Sequence, residues 1–214
     1  MKRYSAFLFD FDGTLLDSNE HVISCFQYAF RTVTGRELPR QTITDTFGIP
    51  LAKALEDLDP ANAAELLRVY RQRSDAVGFS LLHAIDGARA TLEALHGLGC
   101  TCAIVTSKKE VNASAQMAYI GIDDLIDVLV GPEKTTAHKP DPAPVDYALR
   151  AIGCQPEEAL MIGDSPNDIL CGKNAHVDTV GVRFTAVSLD SLLASEPTYM
   201  ISHLSELVDF ARGR

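Results

Sequence analysis

No apolar run in the chain approaches the ~20 residues of a membrane-spanning helix, so a membrane protein of that kind is not expected. Met1 to Ser5 leads into a short apolar stretch, Ala6 to Phe9, which is too little for a secretory signal and its cleavage site. Cysteine is scattered and odd in number (Cys25, Cys100, Cys102, Cys154 and Cys171), a poor disulfide framework. Reduced thiols in a cytoplasmic protein are the expectation. Cys100 and Cys102 form a C-x-C with no second pair to complete a four-ligand set, which argues against zinc. Strand alternation would put both on one face, as small core residues. Basic residues are outnumbered, 19 to 29, for a net charge of −10. That balance argues against a duplex nucleic-acid binder, which shows a basic face. The chain contains neither an internal repeat nor a low-complexity tract.

The 214 residues, 46% of them hydrophobic, suffice for a core that needs no disulfide or metal staple. Short apolar runs recur and stop at polar or glycine residues. Ala6 to Phe9 stops at Asp10, Cys102 to Val105 at Thr106-Ser107, and Leu125 to Val130 at Gly131-Pro132. Ala159 to Ile162 stops at Gly163-Asp164; Thr179 to Val182 and Met200-Ile201 are further short strands. Helical spacing lies between them, over Gly87 to Leu98 and Pro142 to Ile152. Such alternation predicts an α/β fold with a doubly wound parallel sheet, whose ligands bind outside the carboxyl ends of the strands. Residues 17–83 break the pattern, with helical spacing and no convincing strand. They hold 7 basic and 9 acidic residues, so this insert is nearly neutral and can offer cations to a site beside the first strand. The predicted core is therefore 1–16 and 84–214, with a helical cap over 17–83.

The strongest local signal is Asp10-Phe11-Asp12-Gly13-Thr14-Leu15-Leu16-Asp17-Ser18. Carboxylates two residues apart point the same way if the strand continues through them. One can attack an electrophile while the other gives a proton to the leaving group. A solvated acidic turn at a strand end is the plainer alternative for the D-x-D pair alone.

The whole string resembles the signature of the haloacid dehalogenase superfamily of phosphohydrolases. Three further pieces of that signature follow in order: Thr106 with Ser107, Lys139 in His138-Lys139-Pro140-Asp141-Pro142, and Gly163-Asp164-Ser165-Pro166-Asn167-Asp168. The resemblance covers essentially the whole chain and implies a Rossmann-type core with a small helical cap. It implies that Asp10 is a nucleophile forming an aspartyl-phosphate, and that Asp12 is the acid and then the base. Thr106 and Ser107 would hold phosphoryl oxygens, and Lys139 would neutralise charge. Mg²⁺ would bind Asp10, the backbone carbonyl of Asp12, and Asp164; hard oxygen ligands suit it. Asp168 would orient Lys139 or metal-bound water.

Asp12 argues for an oxygen leaving group, because dehalogenating and phosphonate-cleaving relatives lack it. Sugar phosphomutases of the superfamily share all four motifs and are the main alternative function. Their cap carries a histidine twelve residues after the nucleophile, where this chain has Val22; His21 falls one residue early, ~100° around a helix. A non-catalytic binding protein on the same fold is a third reading, but all the motif residues are present. The chain is most similar to phosphoglycolate phosphatases and a related pyrophosphatase, through Phe47-Gly48-Ile49-Pro50-Leu51 and Gly172-Lys173-Asn174-Ala175. Lys53, Arg68, Arg71 and Arg73 are candidate cap cations, Lys53 first. Relatives carry glycine where this chain has His176. The expected partner is a small-molecule phosphate, with no nucleic acid and no membrane, for a monomer or homodimer.

Overall fold

The computed structural model describes residues 3–213. In chain order its elements are β1 (Ala6–Phe9), β2 (Leu16–Asp17), α1 (Asn19–Thr34), α2 (Arg40–Thr44), α3 (Leu51–Leu58), α4 (Ala63–Val77) and β3 (His83–Ala84). Then come α5 (Ala88–Gly97), β4 (Thr101–Val105), α6 (Glu110–Ile120), β5 (Val128–Val130), α7 (Ala143–Ile152) and β6 (Ala159–Gly163). The chain closes with α8 (Pro166–Asn174), β7 (Asp178–Val182), α9 (Leu189–Ala194), β8 (Tyr199–Ile201) and α10 (Leu207–Arg212).

Six strands form one sheet in the order β5-β4-β1-β6-β7-β8, every pairing parallel. β1 lies inside it and is buried on both faces, as its unbroken apolar sequence requires. Alternate side chains feed two cores. Phe7 and Phe9 pack with Leu92 and Leu95 of α5, Met117 of α6 and Leu207 of α10. Ala6 and Leu8 pack with Val145 and Leu149 of α7 and Cys171 of α8. Cys100 and Cys102 are both buried in the first core, beside Tyr4 and Phe7. All five cysteines are free thiols.

A third core is built only from residues between Ile23 and Tyr70, chiefly of α1, α3 and α4. These helices bury one stripe each: Ile23, Phe26 and Phe30 from α1; Leu66, Val69 and Tyr70 from α4. At the ends of this segment β2 and β3 pair antiparallel, Leu16 against Ala84 and Asp17 against His83. The sequence showed no strand there, because two residues are too few for alternation to register. The run Leu125 to Val130 also differs from expectation. Leu125 ends a 3₁₀ turn, Asp123–Leu125, and only Val128–Val130 is strand. Asp127 sets that start: its backbone N–H donates to Cys102 O (2.8 Å) and its side chain accepts from Cys102 N (2.8 Å).

Candidate active site

The three neighbouring strands β4, β1 and β6 end side by side, and each delivers a polar residue at its carboxyl end. Asp10 follows β1 directly, its N–H still bonded to Ile162 O at 2.8 Å. The chain then leaves the sheet in a tight loop, with Leu15 N and Leu16 N both donating to Phe11 O (3.0 and 2.9 Å). Gly13 is necessary to that loop. Its φ is +81°, a conformation that costs a side-chain-bearing residue about 1–2 kcal/mol. A Cβ there would also collide with the Asp164 carboxylate.

Lys139 reaches in from the segment between β5 and α7. Its Nζ donates to Asp10 Oδ1 (2.7 Å), Asp168 Oδ1 (2.6 Å) and Val105 O (3.1 Å), with 3% of the side chain exposed. Asp168 has two roles. One oxygen meets Lys139; the other accepts from Ser165 N (3.0 Å) and Ser165 Oγ (2.6 Å), capping α8. Asp164 ends β6, and Thr185 Oγ1 donates to its carbonyl (2.8 Å) and to its Oδ2 (3.2 Å). Asp12 accepts at Oδ1 from Ser18 Oγ (2.5 Å) and Lys108 Nζ (2.6 Å). Lys108 also donates to Gln116 Oε1 at 2.5 Å and lies 5.2 Å from the centre of the Phe11 ring.

Charge at the base of this site does not balance. Burial, then the Asp168 charge, push the Asp10 carboxyl up to about 7, against the pull of Lys139. Burial, then Asp168 and Asp10, raise Asp164 well above the usual carboxylate range. Burial works against charge on Lys139 as well, but Asp10 and Asp168 outweigh it and hold the ammonium protonated. Oxygens of Asp10, Asp164 and Asp168 lie within 4.8 Å of one another, served by one buried ammonium. The surplus of negative charge and the all-oxygen donor set fit a hard divalent cation. Both Asp168 oxygens are engaged, whereas Asp10 Oδ2 and Asp164 Oδ1 accept no hydrogen bond from any described residue. Those two carboxylates, rather than Asp168, have oxygens to spare for a metal.

Above these residues a cleft of about 480 Å³ separates the sheet edge from α1, α3 and α4. Asp10, Asp12, Thr106, Ser107, Lys139 and Asp164 all line it. Asp168 lies beneath, fully buried. Lys53, the first cap cation expected from sequence, does not line the cleft. It is 58% exposed and pairs with Asp57 one helical turn on, at 2.5 Å. Arg68 pairs in the same way with Glu65, and only Arg71 of the four candidates reaches the cleft. The one-residue offset of His21 does not remove it from the site either. Both His21 and Val22 line the cleft, with His21 Nε2 2.9 Å from Ser74 Oγ. Burial, then Lys108, hold the His21 imidazole below its usual 6.5. Sequence reasoning gave no role to Lys108, Ser18, Gln116 or Thr185. Two of them carried a signal: Ser18 closes the string that begins at Asp10, and Lys108 is the cation directly after Thr106-Ser107.

Residues 7–182 match the family model described as haloacid dehalogenase-like hydrolase. The chain belongs to that hydrolase family. The hydrolase is 36% identical over 204 residues to a Clostridium perfringens chain assigned as a pyrophosphatase PpaX, covering 95% of each. It is 34% identical over 202 residues to the pyrophosphatase PpaX of Halalkalibacterium halodurans, covering 94% of each. Among solved structures, a haloacid dehalogenase-like hydrolase from Bacteroides fragilis superposes with a TM-score of 0.88 at 27% identity, covering 96% of this chain and all 100% of that one. The hydrolase therefore has the fold of a haloacid dehalogenase-type phosphatase. No helix among its described residues is long and apolar enough to cross a membrane.

Proposed function

We propose that this hydrolase is a Mg²⁺-dependent phosphatase that transfers the phosphoryl group of a small anionic substrate to Asp10 and then to water. The observation that carries this reading is the Asp10 carboxylate, fixed by Lys139 at one oxygen and open at the other, at the floor of a cleft. The Asp10 carboxylate attacks phosphorus, and the bond to the leaving oxygen breaks. Thr106 and Lys139 face the phosphoryl oxygens that gain charge. Asp12 gives a proton to the leaving oxygen, then takes one from the water that cleaves the aspartyl-phosphate. In the structure Asp12 accepts from Ser18 and Lys108, so proton delivery requires Lys108 to turn to another anion. A substrate anion entering beside it supplies that alternative partner. Asp10, Asp164 and the Asp12 carbonyl would hold Mg²⁺, which when bound offsets charge on the phosphoryl oxygens.

Inorganic pyrophosphate is the first substrate to test. The names of two relatives support it, and so do Lys108, Lys109 and Arg71 on the cleft walls. A phosphate ester with an organic part, such as 2-phosphoglycolate, is the second reading. It is favoured by the apolar wall of Phe26, Phe47, Ile49, Leu51 and Tyr70, which a doubly charged leaving group would not need. The enzyme is proposed to work in the cytoplasm on a free small molecule, with neither nucleic acid nor membrane as partner.

Phosphate release should be measured from pyrophosphate, 2-phosphoglycolate, several sugar phosphates and nucleoside monophosphates, with Mg²⁺ and with EDTA. Metal-dependent release that Asp10→Asn abolishes is the expected result. Normal turnover in Asp10→Asn would overturn the nucleophile assignment. Isomerised sugar phosphate with little free phosphate would make the enzyme a mutase instead.

A further inference from the structure

The fourth candidate cation, Arg73, does not line the cleft. It lines a separate pocket of about 230 Å³ between α1 and α4. Ser24, Gln27, Tyr28 and Arg31 line one wall, at the i, i+3, i+4, i+7 spacing of a single face of α1. Glu37 and Leu38 close the rim, and no residue is shared with the catalytic cleft. The Arg73 guanidinium lies over the Tyr28 ring, 5.0 Å from its centre. Its Nε–H is buried with no acceptor. Three of the other cap arginines have a carboxylate: Arg36 has Asp59, Arg40 has Glu20 and Arg68 has Glu65. Neither Arg31 nor Arg73 pairs with any described residue, although Glu37 is on the same rim.

We propose that this pocket is a second anion site, which takes a compact phosphate-bearing molecule. Two guanidinium groups, one from each helix, converge with a hydroxyl, an amide and a phenol. This is a donor set for a tetrahedral dianion rather than for one carboxylate, and arginine forks match phosphate oxygens in pairs. A water takes ~30 Å³ of liquid, so the pocket has room for a phosphate ester as well as free phosphate. Neither guanidinium has a carboxylate partner among the described residues, and a bound anion between them supplies the countercharge both lack. His21, one turn before Ser24 on α1, and Ser74, next to Arg73 on α4, meet in the cleft, so an anion joining Arg31 to Arg73 braces the wall of the catalytic site. The site does not depend on which substrate the cleft hydrolyses.

The test is a titration of the ¹⁵N-labelled full chain, with Mg²⁺ present, using inorganic phosphate and glycerol phosphate as probes and chloride at matched ionic strength as the control. The arginine Nε–H resonance of Arg73 reports the pocket, and the Gly13 amide reports the catalytic site. Both phosphates should shift Arg73 to saturation while chloride leaves it in place. Arg31→Gln should weaken that response about tenfold, equivalent to one charge-assisted contact, and leave the Gly13 response unchanged. Glu37→Gln should strengthen it. Arg31 is exposed, so the variant keeps the fold. The proposal is overturned if Arg73 stays still while Gly13 moves, if chloride shifts it equally, or if Arg31→Gln leaves its response intact.

Discussion

Among the described residues Asp10, Asp164 and Asp168 have Lys139 as their one buried cation, and this imbalance makes the site sensitive to pH without a metal. Asp10 is raised from an ordinary 3.8 to about 7, so the folded metal-free chain holds a proton that the unfolded chain has already lost. The stability this contributes is present below the unfolded value and is lost as pH rises through about 7. Thermal scans in EDTA should therefore show a lower Tm at about pH 8 than at about pH 5.5, and Mg²⁺ should raise Tm more at the higher pH. Asp10→Asn removes one of the surplus charges, so it should raise the metal-free Tm at about pH 8 while abolishing turnover. A Mg²⁺ shift equal at both pH values would contradict this account.

His176 is the other residue whose environment makes a prediction. It has φ +59° in the turn after α8, the left-handed region that favours glycine. His176→Gly should stabilise the chain by up to about 1 kcal/mol in chemical denaturation, the relief of strain being partly offset by greater freedom of the unfolded chain. A loss of stability would show that the imidazole makes a contact worth more than the strain.

Most of the side chains that meet in the cleft were legible in the sequence for a physical reason. Asp10, Thr106 and Asp164 sit at strand ends, and a short apolar run marks a strand end sharply. Lys53 was misplaced because spacing along a helix gives a face but not the partner that claims it; Asp57, four residues on, claims Lys53. Lys108 was missed because a lysine reaches ~6 Å from its backbone, and sequence does not show that it turns back to Asp12.

Between elements, the cap meets the core at one legible turn. Gly48 has φ +81°, and a Cβ there would sit 2.7 Å from Ser165 Oγ, the residue that caps α8. Asn167, in the first turn of α8, donates from Nδ2 to Gly48 O at 3.1 Å. This polar contact joins a cap loop to the helix that carries Asp168. Asn167→Ala should change kcat and KM together, by a few-fold in each, because about 1 kcal/mol of cap docking is lost while the reacting groups stay in place. Steady-state kinetics on the best substrate checks this, and unchanged constants would mean the contact has no part in closure. The turn itself was visible in sequence as Gly-x-Pro. Its docking partner was not, because 119 residues separate Gly48 from Asn167.

Across the whole molecule, the proposed function assigns chemistry and selection to different layers. The carboxylates of the proposed reaction follow the carboxyl ends of β1 and β6, whereas Phe26, Leu51, Tyr70 and Arg71 come from the helices above and Phe47 from the turn before α3. Exchanging residues 17–83 for the matching segment of a relative with a different substrate should carry over the preference, read as the ratio of kcat/KM for pyrophosphate and 2-phosphoglycolate. Retention of the original ratio would place selection in the core. The doubly wound sheet was readable from alternating strands and helices. The division of apolar residues into three separate cores was not, since hydrophobicity alone does not say which side chains meet.

The two-residue ribbon of β2 and β3 has one more consequence. Because Leu16 lies opposite Ala84, the chain departs from the sheet and returns to it at one point. Apart from Leu82 and Phe79, which pack into the core beside the ribbon, and the contact of Gly48 with Asn167, the core asks little of what is spliced between these two residues. Closure entropy grows only with the logarithm of the inserted length, so doubling it costs ~0.6 kcal/mol. A lineage can lengthen, shorten or replace everything above that doorway and keep its chemistry. The ribbon is a socket, and the diversity of such an enzyme is a matter of what is plugged into it.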